Sequence, residues 1–273
     1  MKQFDIIIWG ASSFTGQLVT EYLFNKYGSS KIKWAIAGRN LDKLERIRSE
    51  VADKNIPIFI ADSFDEDSLS KFVKKTNVVC STVGPYSLYG TKLVKLCVEN
   101  NTNYCDITGE AHWIRTIIDS FHEKAKSKKI KIVNSCGFDS IPSDMGVYFI
   151  QNEIKKVYKN HARSIKMRVA GIRGGISGGT YGSINNLLKE AYADKSVFKV
   201  LNNPYGLNPK GKMVGSDKKD LRKIIFDKES NSWIYPFIMA GINTKIVRRS
   251  NALSNFQYGK DFRYEEAMMS GRG

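Results

Sequence analysis

Gly10-Ala11-Ser12-Ser13-Phe14-Thr15-Gly16 carries the clearest chemical signal in the chain; it follows the apolar run Ile6-Ile7-Ile8-Trp9 and precedes an amphipathic stretch. A glycine where an apolar run stops allows a tight turn, and a second glycine inside the next helix lets helix and sheet approach. Such a turn presents backbone N–H groups at a helix N-terminus, the natural seat of a pyrophosphate. The middle glycine of a G-x-x-G-x-x-G pattern is replaced by Ser13, whose hydroxyl can lie beside phosphate and donate to it. Turns of this kind also serve packing alone, so the surrounding pattern must decide.

The next apolar run closes on Gly38-Arg39-Asn40, with Lys43 one turn further on. An acid here would bind the ribose hydroxyls of NAD, whereas the Arg39 guanidinium complements the 2′-phosphate of NADP. NADP(H) is therefore the expected cofactor, with Arg39 and Asn40 at its 2′-phosphate and Asp62 near adenine. Val83-Gly84-Pro85-Tyr86 leaves a later strand where a nicotinamide ring is expected. Val83, Gly84 and Pro85 would shape the turn against the cofactor. Tyr86 is the first candidate proton donor and Asp139 the second; a packing tyrosine in an ordinary strand-exit turn is the competing reading. Ser177-Gly178-Gly179-Thr180, at an expected helix start, could hold an anionic or carbonyl group of a substrate, or simply cap the helix.

Other chemistries find less support. Ser12 is not read as a hydrolase nucleophile, because Gly10-Ala11-Ser12-Ser13-Phe14 lacks the last glycine of a G-x-S-x-G pattern. His112, His122 and His161 show no metal spacing, and Cys80, Cys97, Cys105 and Cys136 form no C-x-x-C pair. No metal is expected, and the cysteines read as reduced, buried thiols of a cytoplasmic protein.

These residues need a frame. Strands are expected at Asp5–Trp9, Lys33–Ala37, Ile56–Ile60, Val78–Val83, Tyr104–Ile107 and Ile130–Asn134, apolar on both faces as covered parallel strands are. Helices fall between them. Leu18, Val19, Tyr22 and Leu23 are expected on one face of the first, and Leu41–Val51 forms the second. Regular alternation implies an α/β fold with a doubly wound, Rossmann-type parallel sheet over residues 1–137. After Gly137 the rhythm changes: a helix near Pro142, a strand at Ile165–Ala170, a helix from about Thr180 to Ala193 and a long loop over 201–220. Residues 138–273 are expected to form a second, α+β substrate domain.

The chain has 273 residues, of which 42% are hydrophobic and 26% charged, within the globular range. Its net charge is +16, and most of the excess lies beyond residue 137. A basic balance favours anionic partners such as phosphorylated cofactors or acidic lipid headgroups. The basic residues are dispersed without a groove-reading motif, so no nucleic acid is expected. No run reaches the ~18 apolar residues of a spanning helix. No charged leader with an apolar core opens the sequence, and no secretory signal is expected.

Together the segments GASSFTGQLVTEYL, WAIAGRNLDKL, STVGPYSLYGTKLVKLCVENNTNYCDITGE, IVNSCGFDSIPSDMGV, SGGTYGS and INTKIVRRSNAL resemble the saccharopine dehydrogenase-like oxidoreductase family, in its trans-acting enoyl reductase branch. The resemblance runs from residue 10 to residue 253. It implies an NADP-binding sheet followed by a substrate domain, hydride transfer to an unsaturated lipid or polyketide chain, and peripheral contact with membranes or lipid bodies. Relatives of this kind continue well beyond Ser270-Gly271-Arg272-Gly273, so the resemblance also implies a second domain lacking its last part. Two other readings stay open: a saccharopine dehydrogenase-type enzyme acting on a C–N bond, and a non-catalytic protein that keeps the fold and docks on membranes. An oligomer is compatible with any of these.

Overall fold

A computed structural model describes residues 2–51, 53–138, 140–175 and 178–270. The chain divides into two compact units. The first draws on Met1–Thr108, Thr116–Cys136 and Ser177–Asn186. Its elements run β1 (Phe4–Trp9), α1 (Phe14–Tyr27), β2 (Trp34–Gly38), α2 (Leu41–Val51), β3 (Ile58–Ile60), α3 (Glu66–Val73), β4 (Thr76–Ser81), α4 (Tyr86–Tyr89), α5 (Thr91–Glu99), β5 (Asn103–Asp106), α6 (Ala111–Ser127, joining this unit from Thr116) and β6 (Ile132–Val133). The strands form one parallel sheet in the order β3-β2-β1-β4-β5-β6. That order reverses direction beside β1, and the crevice outside β1 and β4 is where doubly wound folds bind ligands.

Continuous apolar strands explain why this sheet is covered. All five residues of β2 are buried, and Ile8, Ala11, Leu23, Trp34, Ile36 and Leu44 form one core cluster between sheet and helices. On α1 the inward face is Gly16, Thr20 and Leu23. Leu18 and Tyr22, expected beside Leu23, are instead 52% and 54% exposed. Close approach of Gly16 to the preceding turn fixes the helix rotation, and residues two and six positions on then point away from the sheet.

The second unit draws on Gly109–Arg115, Gly137–Ile176 and Leu187–Gly273. It contains α7 (Ser140–Tyr158), β7 (Ser164–Val169), α8 (Gly178–Ala193, from Leu187 onward), α9 (Ser196–Asn202), β8 (Ile225–Asp227), β9 (Ser232–Pro236), α10 (Ala240–Leu253) and β10 (Arg263–Met269). Its mixed sheet has the order β7-β10-β9-β8, with β10 parallel to β7 and antiparallel to β9. Val147 of α7 and Val247 of α10 pack with Tyr258, Phe262 and Tyr264.

Polar groups run through this second core. The Tyr264 hydroxyl donates to Glu266 at 2.8 Å, Asn243 donates to the other Glu266 oxygen at 3.0 Å, and the Ser140 hydroxyl donates to Asn243 at 2.8 Å. Burial raises the Glu266 carboxyl above its usual range. Arg248, also buried, meets Asp217 at 2.8 Å and donates to Thr244 Oγ1 at 2.9 Å and Tyr264 O at 3.0 Å.

The boundary expected at residue 137 is crossed twice, because 109–115 group with the second unit and 177–186 with the first. Contact explains the second crossing. A Cβ on Gly182 would lie 3.9 Å from the Pro85 ring, and the Asn186 amide donates to Ser87 Oγ at 2.8 Å.

Candidate cofactor and substrate site

The turn between β1 and α1 is shaped by what it cannot accommodate. Gly10 has φ +88°, and a Cβ there would come within 2.5 Å of Val83 Cγ2 and 2.9 Å of Thr82 Oγ1. A Cβ on Gly16 would collide with the Gly10 carbonyl oxygen. Both positions therefore need glycine, one for backbone conformation and one for close approach. Ala11 is fully buried, Ser12 and Thr15 are half-buried, and Phe14 is exposed. Ser13 caps α1: its Oγ accepts from Gly16 N at 3.0 Å and lies 3.0 Å from Thr82 Oγ1. The serine in place of the middle glycine is thus part of the helix start. A cradle that Cβ atoms would fill, set at a helix N-terminus, fits the pyrophosphate of a dinucleotide.

At the end of β2, Gly38 is buried while Arg39 and Asn40 are exposed. Asn40 Oδ1 accepts from Lys43 N at 2.8 Å, so Asn40 opens α2 and Arg39 stands just before it. No carboxylate occupies the β2 exit to oppose a 2′-phosphate. Asp62 is exposed beyond β3, where its Oδ1 accepts from Phe64 N at 2.8 Å and shapes the local turn.

Val83, Gly84 and Pro85 follow β4, joined by a cis Gly84–Pro85 peptide. A Cβ on Gly84 would meet the Tyr86 ring at 3.3 Å and Ser183 Oγ at 3.6 Å. The β4 exit and the first half of α8, separated by about ninety residues of sequence, are thereby brought together. Gly178 and Gly179 are exposed at the start of α8. Asp139 and Ser177 lie outside the described residues, as does the Thr180 side chain.

Tyr86 is only 4% exposed, and its hydroxyl donates to Ser81 O at 3.0 Å and accepts from Ile107 N at 3.4 Å. The ring therefore ties the exit of β4 to that of β5, and proton donation to a ligand would require the hydroxyl to leave Ser81.

Asp106, at the end of β5, was not singled out from the sequence. Its Oδ1 accepts from Thr108 N and Ser135 N, both at 3.0 Å, and its Oδ2 accepts from Asn134 at 2.7 Å. Burial pushes its carboxyl up to about 6 against those hydrogen bonds. It fastens the β5 exit to the β6 exit. The only available signal was an acid closing an otherwise uncharged strand. Thr82, between the phosphate turn and β4, was missed for want of any motif. In the second unit, His112 Nε2 lies 2.7 Å from Glu190 Oε2. Among the described residues no group of three or more His, Cys, Asp or Glu is placed to hold a metal ion.

Residues 6–133 match the model of the saccharopine dehydrogenase NADP binding domain. Over 99% of its length the chain is 36% identical to a candidate trans-acting enoyl reductase of Mycobacterium tuberculosis and 31% identical to the trans-acting enoyl reductase of Mycobacterium ulcerans. Residues 6–133 are thus a saccharopine dehydrogenase-type NADP binding domain, and the chain as a whole is similar to these reductases. It covers 66% of the length of each of these two relatives. Among solved structures, saccharopine dehydrogenase (L-Glu forming) of Saccharomyces cerevisiae shares the fold, with a TM-score of 0.55 at 15% identity over 97% of this chain and 55% of that one. The cofactor of this domain family is NADP(H), in agreement with Arg39 at the β2 exit.

Proposed function

We propose that the chain is an NADPH-dependent reductase of enoyl groups on a lipid or polyketide chain. The observation that carries this reading is the Cβ-free turn at Gly10 and Gly16, with an arginine rather than an acid at the exit of β2. The name of its relatives, trans-acting enoyl reductase, supplies the reaction class. Bound NADPH would provide the hydride for the unsaturated bond. Gly10 to Gly16 would hold the pyrophosphate, Arg39 and Asn40 the 2′-phosphate, and Val83 to Pro85 the nicotinamide end. Gly178 and Gly179, with Ser177 and Thr180, remain the proposed contact for the acyl carbonyl.

Titration with NADPH and NADH, read by nicotinamide fluorescence, tests the cofactor half of the reading. NADPH oxidation with medium- and long-chain enoyl thioesters tests the other half. Preference for NADPH with turnover of a thioester supports it. Turnover only with amino acid–keto acid adducts would replace it by C–N chemistry, and failure to bind either nucleotide would remove it.

One observation favours peripheral contact with an anionic membrane as a second property. On α7, Met145 and Phe149 are 51% and 62% exposed beside a shallow groove of about 900 Å³, and the last turn carries exposed Lys155 and Lys156, the latter paired with Glu153 of the same groove at 2.6 Å. An apolar face bordered by lysines matches the interface of an acidic bilayer. Sedimentation with phosphatidylglycerol vesicles is expected to carry the protein down at low salt, and Phe149→Asp to release it. Equal binding to neutral vesicles would contradict this. Among the described residues no helix is long and apolar enough to cross a membrane.

A further inference from the structure

The hydroxyls of Ser13 and Thr82 hold more hydrogen-bonding options than they have protons. Ser13 Oγ lies 3.0 Å from Thr82 Oγ1, and either can be the donor. Thr82 Oγ1 also reaches Gly10 O at 3.0 Å and Trp9 O at 3.2 Å. Ser13 Oγ meanwhile accepts from Gly16 N. Each hydroxyl carries one proton and two lone pairs. Two arrangements therefore satisfy the cluster. In one, Ser13 donates to Thr82, and Thr82 donates to a carbonyl of the turn. In the other, Thr82 donates to Ser13, and the Ser13 proton is turned outward.

The second arrangement leaves no carbonyl stranded. Gly10 O still accepts from Ser13 N and Trp9 O from Thr82 N, both at 2.9 Å. The cap on α1 is kept as well, because Ser13 Oγ can accept from Gly16 N and Thr82 together. Reversal of the pair thus frees the Ser13 proton for a ligand at the phosphate turn, at the cost of leaving Thr82 Oγ1 facing Gly10 O and Trp9 O without a proton between them. A neutral donor aimed at a phosphate oxygen makes a charge-assisted hydrogen bond, and one donor polarised by another is strengthened.

We infer that Thr82 is a positioning residue for cofactor binding: Thr82 and Ser13 form a reversible hydroxyl relay that turns the Ser13 proton toward the pyrophosphate. The relay rests on the cofactor reading above and assigns to Ser13 the work that an extra glycine amide would otherwise share. Thr82 is only 7% exposed, so it would act through Ser13 rather than on the ligand itself.

The test is a set of fluorescence titrations with NADPH, paired with calorimetric titration of adenosine 2′-phosphate, a fragment that carries the 2′-phosphate but no pyrophosphate. Thr82→Val keeps the Ser13 hydroxyl but removes the neutral hydrogen bond that aims and polarises it, so NADPH is expected to weaken by about fivefold, the scale of one such bond. It should leave adenosine 2′-phosphate unchanged, and Thr82→Ser should restore NADPH binding to within about twofold. Ser13→Gly removes the donor, so adding Thr82→Val to it should cost nothing further. Equal weakening of both ligands, no rescue by serine, or additive losses in the double variant would each overturn the relay. If the unsubstituted protein binds adenosine 2′-phosphate but not NADPH, the relay also falls; if it binds neither, the cofactor reading itself has failed.

Discussion

The two units place their polar groups in opposite ways. In the first, the interior around Ile8, Trp34 and Ile36 is apolar, and the polar residues Thr82, Asp106, Thr108 and Ser135 gather where strands end. In the second, Arg248, Asn243 and Glu266 sit within the core between sheet and helices. A frame held by apolar contact leaves its strand exits free to be shaped by turns, and the proposed binding residues lie there. A core crossed by hydrogen-bonded charges is tied together by particular side-chain pairs, each costly to break singly.

The largest effect that would sharpen this contrast is expected in the second unit. Arg248→Met leaves Asp217 buried without its partner and should cost about 3–5 kcal/mol in urea unfolding. A loss below about 1 kcal/mol, the range of a surface pair, would mean that the interior pairing is incidental. In the first unit, Gly16→Val should lower stability by about 1–3 kcal/mol through overpacking and abolish NADPH binding by displacing the turn. Retained binding would break the claim that backbone approach builds the site. Arg39→Ala should leave the fold intact, weaken NADPH by about tenfold and spare NADH; equal weakening of both would remove Arg39 from the 2′-phosphate.

The smallest effect concerns pH. Asp106 has its folded carboxyl raised to about 6 from 3.8, so between these values the folded chain holds more proton than the unfolded one. Its contribution to stability is therefore present at low pH and declines as pH rises through 4 to 6. Asp106→Asn should flatten that part of the melting-temperature profile. A profile of unchanged slope would show that the carboxyl titrates alike in both states.

Sequence legibility followed the same division. The order β1, α1, β2 and the glycines of the turn could be read locally, because β-branched runs and chain reversals are decided by near neighbours. Leu18 and Tyr22 were misplaced because the rotation of α1 depends on Gly16 meeting Gly10, a three-dimensional constraint that periodicity does not carry. The strand β10 escaped notice since Glu265-Glu266 interrupts its apolar pattern, and a buried Glu266 is explained only by Asn243 on α10 together with Tyr264 on the same strand. Likewise, nothing in Gly178 to Asn186 announces that it packs on Pro85 and Ser87. The cofactor turn was legible as glycine spacing, whereas Thr82 and Asp106 act through partners far along the chain.

Residues 177–186 belong to the first unit although α7 and β7 come before them. On the ribosome, then, the parallel sheet can assemble once residue 133 has emerged, but the ledge beside Pro85 must wait for some fifty more residues. The proposed nicotinamide end of the crevice is the last part of that unit to be made. A nascent chain would thus pass through an interval in which it can grip the adenosine half of a nucleotide before it can present the reactive half to anything.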